Sequence, residues 1–323
     1  MLLLLLLFSN WLAGLVILRG ADAYPTTNHT IHSPRDVGGV TIPAGFSRCL
    51  FFDDFSDQPV GFLPSASKWT LDLGTSYPRG PQRWGTGEIQ TYTSDRSNIA
   101  ITDRQTLQIT PIRLADGMWT SSRIETTAQW DFGCPAGRRI RVEARIRLGS
   151  DPGPRQQGIW PAFWALGSDL RGNYWNWPRV GEIDMMESVN GEARVRRAAH
   201  CGIAPGGPCN EFSGLGNVAE HRLERGKWHT FAWEVDRRRR ERRDETLTWY
   251  VDGAQQWTLT ESDVRDESAW DVLVDHKKML LFNVAVGGAL PDAIAGIKTP
   301  TGATAGGRGA SMEVDHVAVF EQL

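Results

Sequence analysis

Between Ile140 and Leu148 the chain alternates without a break: Ile140, Val142, Ala144, Ile146 and Leu148 are apolar, with Arg141, Glu143, Arg145 and Arg147 between them. A side-chain period of two marks a strand with one face buried. Comparable runs cover Leu107–Ile112, Trp228–Val235, Thr246–Val251, Met279–Val286 and Glu313–Phe320. Turn residues punctuate them, at Ala115-Asp116-Gly117, at Val251-Asp252-Gly253 and in the glycines from Thr301 to Gly309. A helical period is hard to find, and its best segment, Ser262–Leu273, is short. Many strands with few helices predict an all-β sandwich of two antiparallel sheets. Such folds often carry a ligand groove on one concave sheet.

The 323 residues would hold one large domain or two ordinary ones. No linker or repeat interrupts residues 48–323, so one domain is expected there, preceded by a flexible polar arm over 24–47. Before it, Leu2–Leu7 and Trp11–Leu18 are apolar and end in Ala21-Asp22-Ala23. This predicts a signal peptide over 1–23, cut before Tyr24, and an extracellular or cell-wall location. The leader has no early Lys or Arg, which leaves an uncleaved anchor as the alternative. No other stretch is apolar enough to span a membrane. Asn28-His29-Thr30 is a glycosylation sequon.

A net charge of -3 excludes a general nucleic-acid binder. The run Arg237–Arg243 lies between two strand patterns and reads as a solvated hairpin tip, or else as a contact for an anionic surface. Tryptophan is the unusual count, at 14. Core burial and stacking platforms for sugar rings both account for such an excess. In a secreted chain the four cysteines are potential disulfides. Cys201 and Cys209 flank a Gly-Pro-rich segment, so a local bridge is expected; Cys49 and Cys134 can pair or stay free.

The segment Val180-Gly-Glu-Ile-Asp-Met-Met-Glu-Ser188 places three acids among apolar residues with no base between them. On a strand, Glu182 and Asp184 share a face, whereas Glu187, five positions from Glu182, points away. One bulged residue at Met185 or Met186 restores the phase, bringing all three acids to one face with Ile183 and one methionine in the core. Glu182 and Glu187 then stand roughly 13 Å apart along the backbone. Leaning side chains can close much of that distance, toward the about 5–5.5 Å that retaining glycosidases need. Three like charges on one face cannot all ionise cheaply. Asp184 is therefore expected to hydrogen-bond Glu182 and hold a proton. A salt-bridged acidic edge strand and a calcium site are the competing readings of this segment.

Gly181-Glu-Ile-Asp-Met-Met-Glu187 resembles the bulged E-x-D-x-x-E signature of glycoside hydrolase family 16. The resemblance continues in Gly158-Ile-Trp-Pro-Ala-Phe-Trp-Ala-Leu-Gly167, Trp84–Thr93 and Ser122–Thr126. It extends through Trp249–Gly253, Phe282–Gly288 and Met312–Val319. The Cys201–Cys209 loop looks like that of secreted fungal endo-β-1,3(4)-glucanases. The resemblance implies a concanavalin A-like jelly roll with the signature at the centre of a concave sheet. It implies Glu182 as nucleophile, Asp184 as its hydrogen-bond partner and Glu187 as acid/base, in a retaining double displacement. Trp160, Trp177, His200, Trp119, Arg123, Glu88 and Asn283 fall in matching segments as candidate sugar contacts, while Trp164 reads as core.

The resemblance thus implies a secreted endo-acting hydrolase of β-1,3- or β-1,3-1,4-glucans. A cell-wall glucan transglycosylase and a non-catalytic glucan-binding module are the alternatives. A polysaccharide is the expected partner, the protein a monomer, and no membrane is involved once the leader is cut. No cofactor or catalytic metal is expected. Some relatives hold a calcium ion far from the cleft through a C-terminal aspartate, here Asp315, but one matching residue is too few to assign a site.

Overall fold

The computed structural model describes residues 35–37, 40–218 and 222–323. The expected signal peptide, the sequon and most of the arm lie outside them. Two large antiparallel sheets face each other. The first runs, in order across the sheet, Leu215–Val218, Arg196–His200, Glu182–Glu187, Ile159–Gly167, Lys278–Val286, Arg123–Thr126 and Trp69–Asp72. The second runs Ala254–Thr260, Thr246–Val251, Trp228–Asp236, Arg139–Leu148, Met312–Gln322, Leu107–Ile109 and Ile99–Ile101, with Arg48–Asp53 also pairing to Met312–Gln322.

The alternating segments form strands because each has an apolar face to bury. Arg139–Leu148 alternates half-buried and buried residues along its whole length, in step with its sequence. Its inner residues Ile140, Val142 and Ala144 are fully buried and meet Ile183, Phe163, Phe282 and Val284 of the other sheet in one core cluster. Phe163 and Phe282, directly paired on neighbouring strands, stack with centroids 4.6 Å apart. Burial of such side chains is worth about 1.5–3 kcal/mol each, which is what holds the sheets together. The strand Lys278–Val286 is buried at every position, since one face meets this core and the other lies beneath the concave surface.

Helices are few and short, at Glu261–Val264, Glu267–Val274 and Ala289–Ala295. The second covers much of the expected helical segment and starts at Asp266, whose carboxylate accepts from the Ala269 amide. None of the helices among the described residues is long and apolar enough to cross a membrane. The expected Cys201–Cys209 disulfide is formed, and Cys49 and Cys134 are both free.

Two expectations need correction. The arm is not loose to residue 47: Arg35–Val37 and Val40–Ile42 pair with each other, and Ile42 is buried against Ala318 and Phe320. The arginine run is not uniformly solvated either. Arg237 is 6% exposed and reaches Glu245, Asp271 and Asp275, so one member of an apparently solvated tip is an internal cation.

Candidate active site

The acidic strand Glu182–Glu187 lies inside the first sheet, between Ile159–Gly167 and Arg196–His200. It begins at Gly181, held at φ +75°, where an added Cβ would approach Val272 Cγ1 to 2.7 Å. Only glycine fits that entry. Along the strand, Glu182 faces Leu166, Ile183 faces Ala165 and Asp184 faces Trp164; then Met186 faces Phe163 and Glu187 faces Ala162. Met185 has no opposite residue, and the other neighbouring strand shows the same step, with Asp184 facing Ala198 and Glu187 facing Arg196. This is the bulge that the phase of the acids required. It buries both methionines in the core, where only one was expected.

All three acids are thereby turned to the concave face. Small residues stand directly beside them, Ala162 next to Glu187 and Ala198 next to Asp184, which keeps the floor low around the carboxylates. Two indoles close over them. Trp177 donates to Glu182 Oε2 at 3.1 Å, and Trp160 donates to Glu187 Oε1 at 2.9 Å. Both rings are half-buried. At the residue before the bulge, Trp249 of the opposite sheet crosses the core and donates to the main-chain carbonyl of Asp184 at 2.9 Å.

Burial, and after it the charge of Asp184, pushes Glu182 and Glu187 each up to about 8. Burial in low dielectric disfavours the charged carboxylate, and a like charge nearby adds to the effect. Each is thereby biased toward its protonated form at neutral pH, which suits the proton-donating member of an acid–nucleophile pair.

The expected hydrogen bond from Asp184 to Glu182 is not made. Asp184 Oδ2 instead faces His200 Nε2 at 3.3 Å, and His200 Nδ1 lies 2.8 Å from Glu211 Oε2. Desolvation alone would lower the imidazole, but the bonds to Asp184 and Glu211 outweigh it and hold His200 up at about 11. Glu182, Asp184 and His200 offer atoms within 4.8 Å of one another, a spacing that suits a cation. Both ring nitrogens of His200 are directed at carboxylates, and the imidazolium form would offer no lone pair to a metal.

The remaining candidates divide. Arg123 and Asn283 lie in register on neighbouring strands of the concave face, Asn283 opposite Ala162. Arg123 is bound through Nε to Asp72 at 2.9 Å and through Nη2 to Tyr77 at 2.9 Å. Its guanidinium lies 4.6 Å from the Trp84 ring and 4.9 Å from Trp164. Asn283 accepts from Trp164 at 2.8 Å and donates to Tyr92 at 3.2 Å. Glu88 is satisfied by Thr86, Gln90 and Tyr92. Glu88 and Asn283 are thus each held in place by neighbouring side chains. Trp119 is a correction: it is 4% exposed within the main core cluster and offers no face to a sugar. Trp164, read from the sequence as core, is half-buried and packs with Tyr77, Tyr174 and Trp177 against the cluster of Leu166, Leu170, Val180, Met279 and Leu281. Asp315 pairs with Arg145 at 3.2 Å and His316 at 2.9 Å.

Sequence reasoning missed Glu211, Phe212 and Trp175. Phe212 is 68% exposed and stacked on Trp177 at 13°, and Trp175 is 67% exposed. All three sit on loops, where no periodicity signals orientation; for Glu211 and Phe212 the nearby cysteine Cys209 was the available clue.

A family model described as "XgeA-like, catalytic GH16 domain" matches residues 151–211. An endo-1,3-beta-glucanase from Streptomyces sioyaensis of known structure is 42% identical, with a TM-score of 0.80 over 87% of this chain and 98% of that one. The endo-beta-1,3-glucanase of Pyrococcus furiosus superposes at a TM-score of 0.66 with 26% identity, over 91% of this chain and 99% of that one. Glucan endo-1,3-beta-glucosidase A1 of Niallia circulans is 28% identical over 83% of this chain, which spans 37% of that protein's length.

Proposed function

Because the chain belongs to glycoside hydrolase family 16, we propose that it is a secreted, endo-acting hydrolase of β-1,3- and mixed β-1,3-1,4-glucans. The observation that carries this reading is the bulge at Met185, which sets Glu182, Asp184 and Glu187 side by side on a concave floor between two indole donors. In the proposed reaction the Glu182 carboxylate attacks the anomeric carbon as Glu187 gives its proton to the departing glycosidic oxygen. A covalent glycosyl ester results. Glu187, now a carboxylate, takes a proton from water as the water attacks the same carbon, releasing Glu182 and the sugar with its configuration retained. The aromatic rings along the floor suit the flat apolar faces of glucose units. Secretion is supported by the apolar leader and by a formed disulfide, which persists in oxidising compartments.

The test is a panel of laminarin, lichenan, barley glucan and galactan, with the wild type and Glu182→Gln. Reducing ends should rise on laminarin for the wild type and stay at background for the variant. A variant that cleaves as fast as the wild type would remove Glu182 from the role. Product chain length separates hydrolysis from transfer to a second sugar.

A further inference from the structure

We propose that Glu211 is a positioning residue for this reaction, holding His200 as an imidazolium against Asp184 so that the acidic floor is partly neutralised from the side. The inference rests on the hydrolase reading above.

The geometry is that of a carboxylate–imidazole–carboxylate chain. His200 points Nε2 at Asp184 and Nδ1 at Glu211, both within ion-pair distance. A neutral imidazole has one N–H, so it would turn a ring lone pair toward one of two anions in a buried site. Protonation at both nitrogens satisfies both.

Glu211 is built to be aimed. It is 5% exposed, and its second oxygen accepts from the Cys201 amide at 2.9 Å. Its own amide and carbonyl pair with Gly206 at 2.5 Å each, inside the loop that Cys201–Cys209 closes. The ring has as little freedom: a Cβ added at Gly214 would come within 2.7 Å of His200 Cε1, and Trp177 lies 5.5 Å away on another side.

Among the described residues, the charged groups around His200 are few. The acidic strand presents Glu182 and Asp184, with Glu187 beyond them, and the disulfide loop presents Glu211. Arg196, farther along its own strand, is paired with Glu192. The edge strand Leu215–Val218 contributes no titratable side chain. The cation therefore serves Asp184 and, through it, the two glutamates, whose charged forms its field favours.

Glu211→Gln tests this with little change of shape. The amide oxygen can still accept from Cys201, but its NH2 now faces Nδ1 and makes that nitrogen an acceptor. His200 should then be neutral at pH 7.5, read from its imidazole 15N signals, where the wild type shows the doubly protonated form. With laminarin, both limbs of the pH–rate profile should move about one unit to higher pH, lowering kcat at pH 6 by about tenfold with KM little changed. Glu211→Asp, which keeps the carboxylate, should restore part of the shift. Identical His200 signals and unmoved limbs in Glu211→Gln, with only a lower Tm, would overturn the proposal and make Glu211 a loop strut. A wild type that cleaves none of the glucans defeats the hydrolase reading, and the 15N signals still decide the state of His200.

Discussion

Trp160 donates its indole N–H to Glu187 Oε1 across 2.9 Å, and among the described residues this is the one side-chain hydrogen bond that Glu187 receives. A donor of this kind favours the carboxylate over the acid. It therefore gains strength as Glu187 loses its proton during the first step. Hydrogen bonds to charged groups contribute about 1.5–3 kcal/mol. Trp160→Phe should lower kcat on laminarin by about 10- to 100-fold and move the alkaline limb of the pH–rate profile upward, because Glu187 then holds its proton more tightly. A downward move of that limb would contradict the argument.

Glu187→Gln should separate proton donation from everything else. General acid catalysis is worth about 10²–10⁴-fold, and that loss is expected on glucans. An aryl glucoside with a nitrophenolate leaving group departs without a proton, so the first step should survive on it. Equal losses on both substrates would place Glu187 in another role.

Deleting Met185 removes the extra residue and leaves Glu187 four positions from Glu182, so regular alternation keeps it on the cleft face, and measurable activity should survive. Deleting Met185 and Met186 together leaves three positions and turns Glu187 to the core. An ionised side chain buried there without a partner is strongly unfavourable, so the double deletion should abolish activity and lower Tm sharply. Met185→Leu nearly conserves volume and should cost less than about 1.5 kcal/mol. Activity retained in the double deletion would mean that the strand reaches its phase by another route.

The buried glutamates should weigh on stability in a pH-dependent way. Glu182 is raised to about 8 in the folded protein, against roughly 4.3 for an unfolded glutamate. A raised carboxylate favours the fold below its unfolded value, and that contribution is lost as pH rises toward the folded one. Replacing it with Gln removes the loss while keeping an acceptor for Trp177. Glu182→Gln should therefore gain little in Tm at pH 4.5 and progressively more up to pH 8, by about a few degrees. A Tm difference independent of pH would show that the carboxylate is not held this way.

What the chain disclosed in advance follows from which physics is local. The alternation along Arg139–Leu148 and the apolar run Met279–Val286 are properties of neighbouring residues, and both segments are strands with boundaries within a residue or so. The bulge was legible because stranding Glu187 on the core face is too costly to be tolerated. Partners distant in sequence left no local trace. Arg237 looks like one more solvated arginine until Asp271 and Asp275 arrive from a helix and its end. Asp184 looks like a partner for Glu182 until His200 and Glu211 come beside it. Trp119 sits on a three-residue strand, too short for alternation to say which way its ring turns.

Trp249 reaches from one layer of the sandwich to the backbone of Asp184 in the other. The reactive geometry is thus keyed to the spacing of the whole body as well as to its own strand. Wear anywhere in the interior that lets the layers drift would be felt at the carboxylates, so loss of turnover on heating and loss of the native fold should coincide as one event. Adaptation to colder surroundings by slackening the middle of the protein is correspondingly closed to it; the outer loops are where such tuning has room.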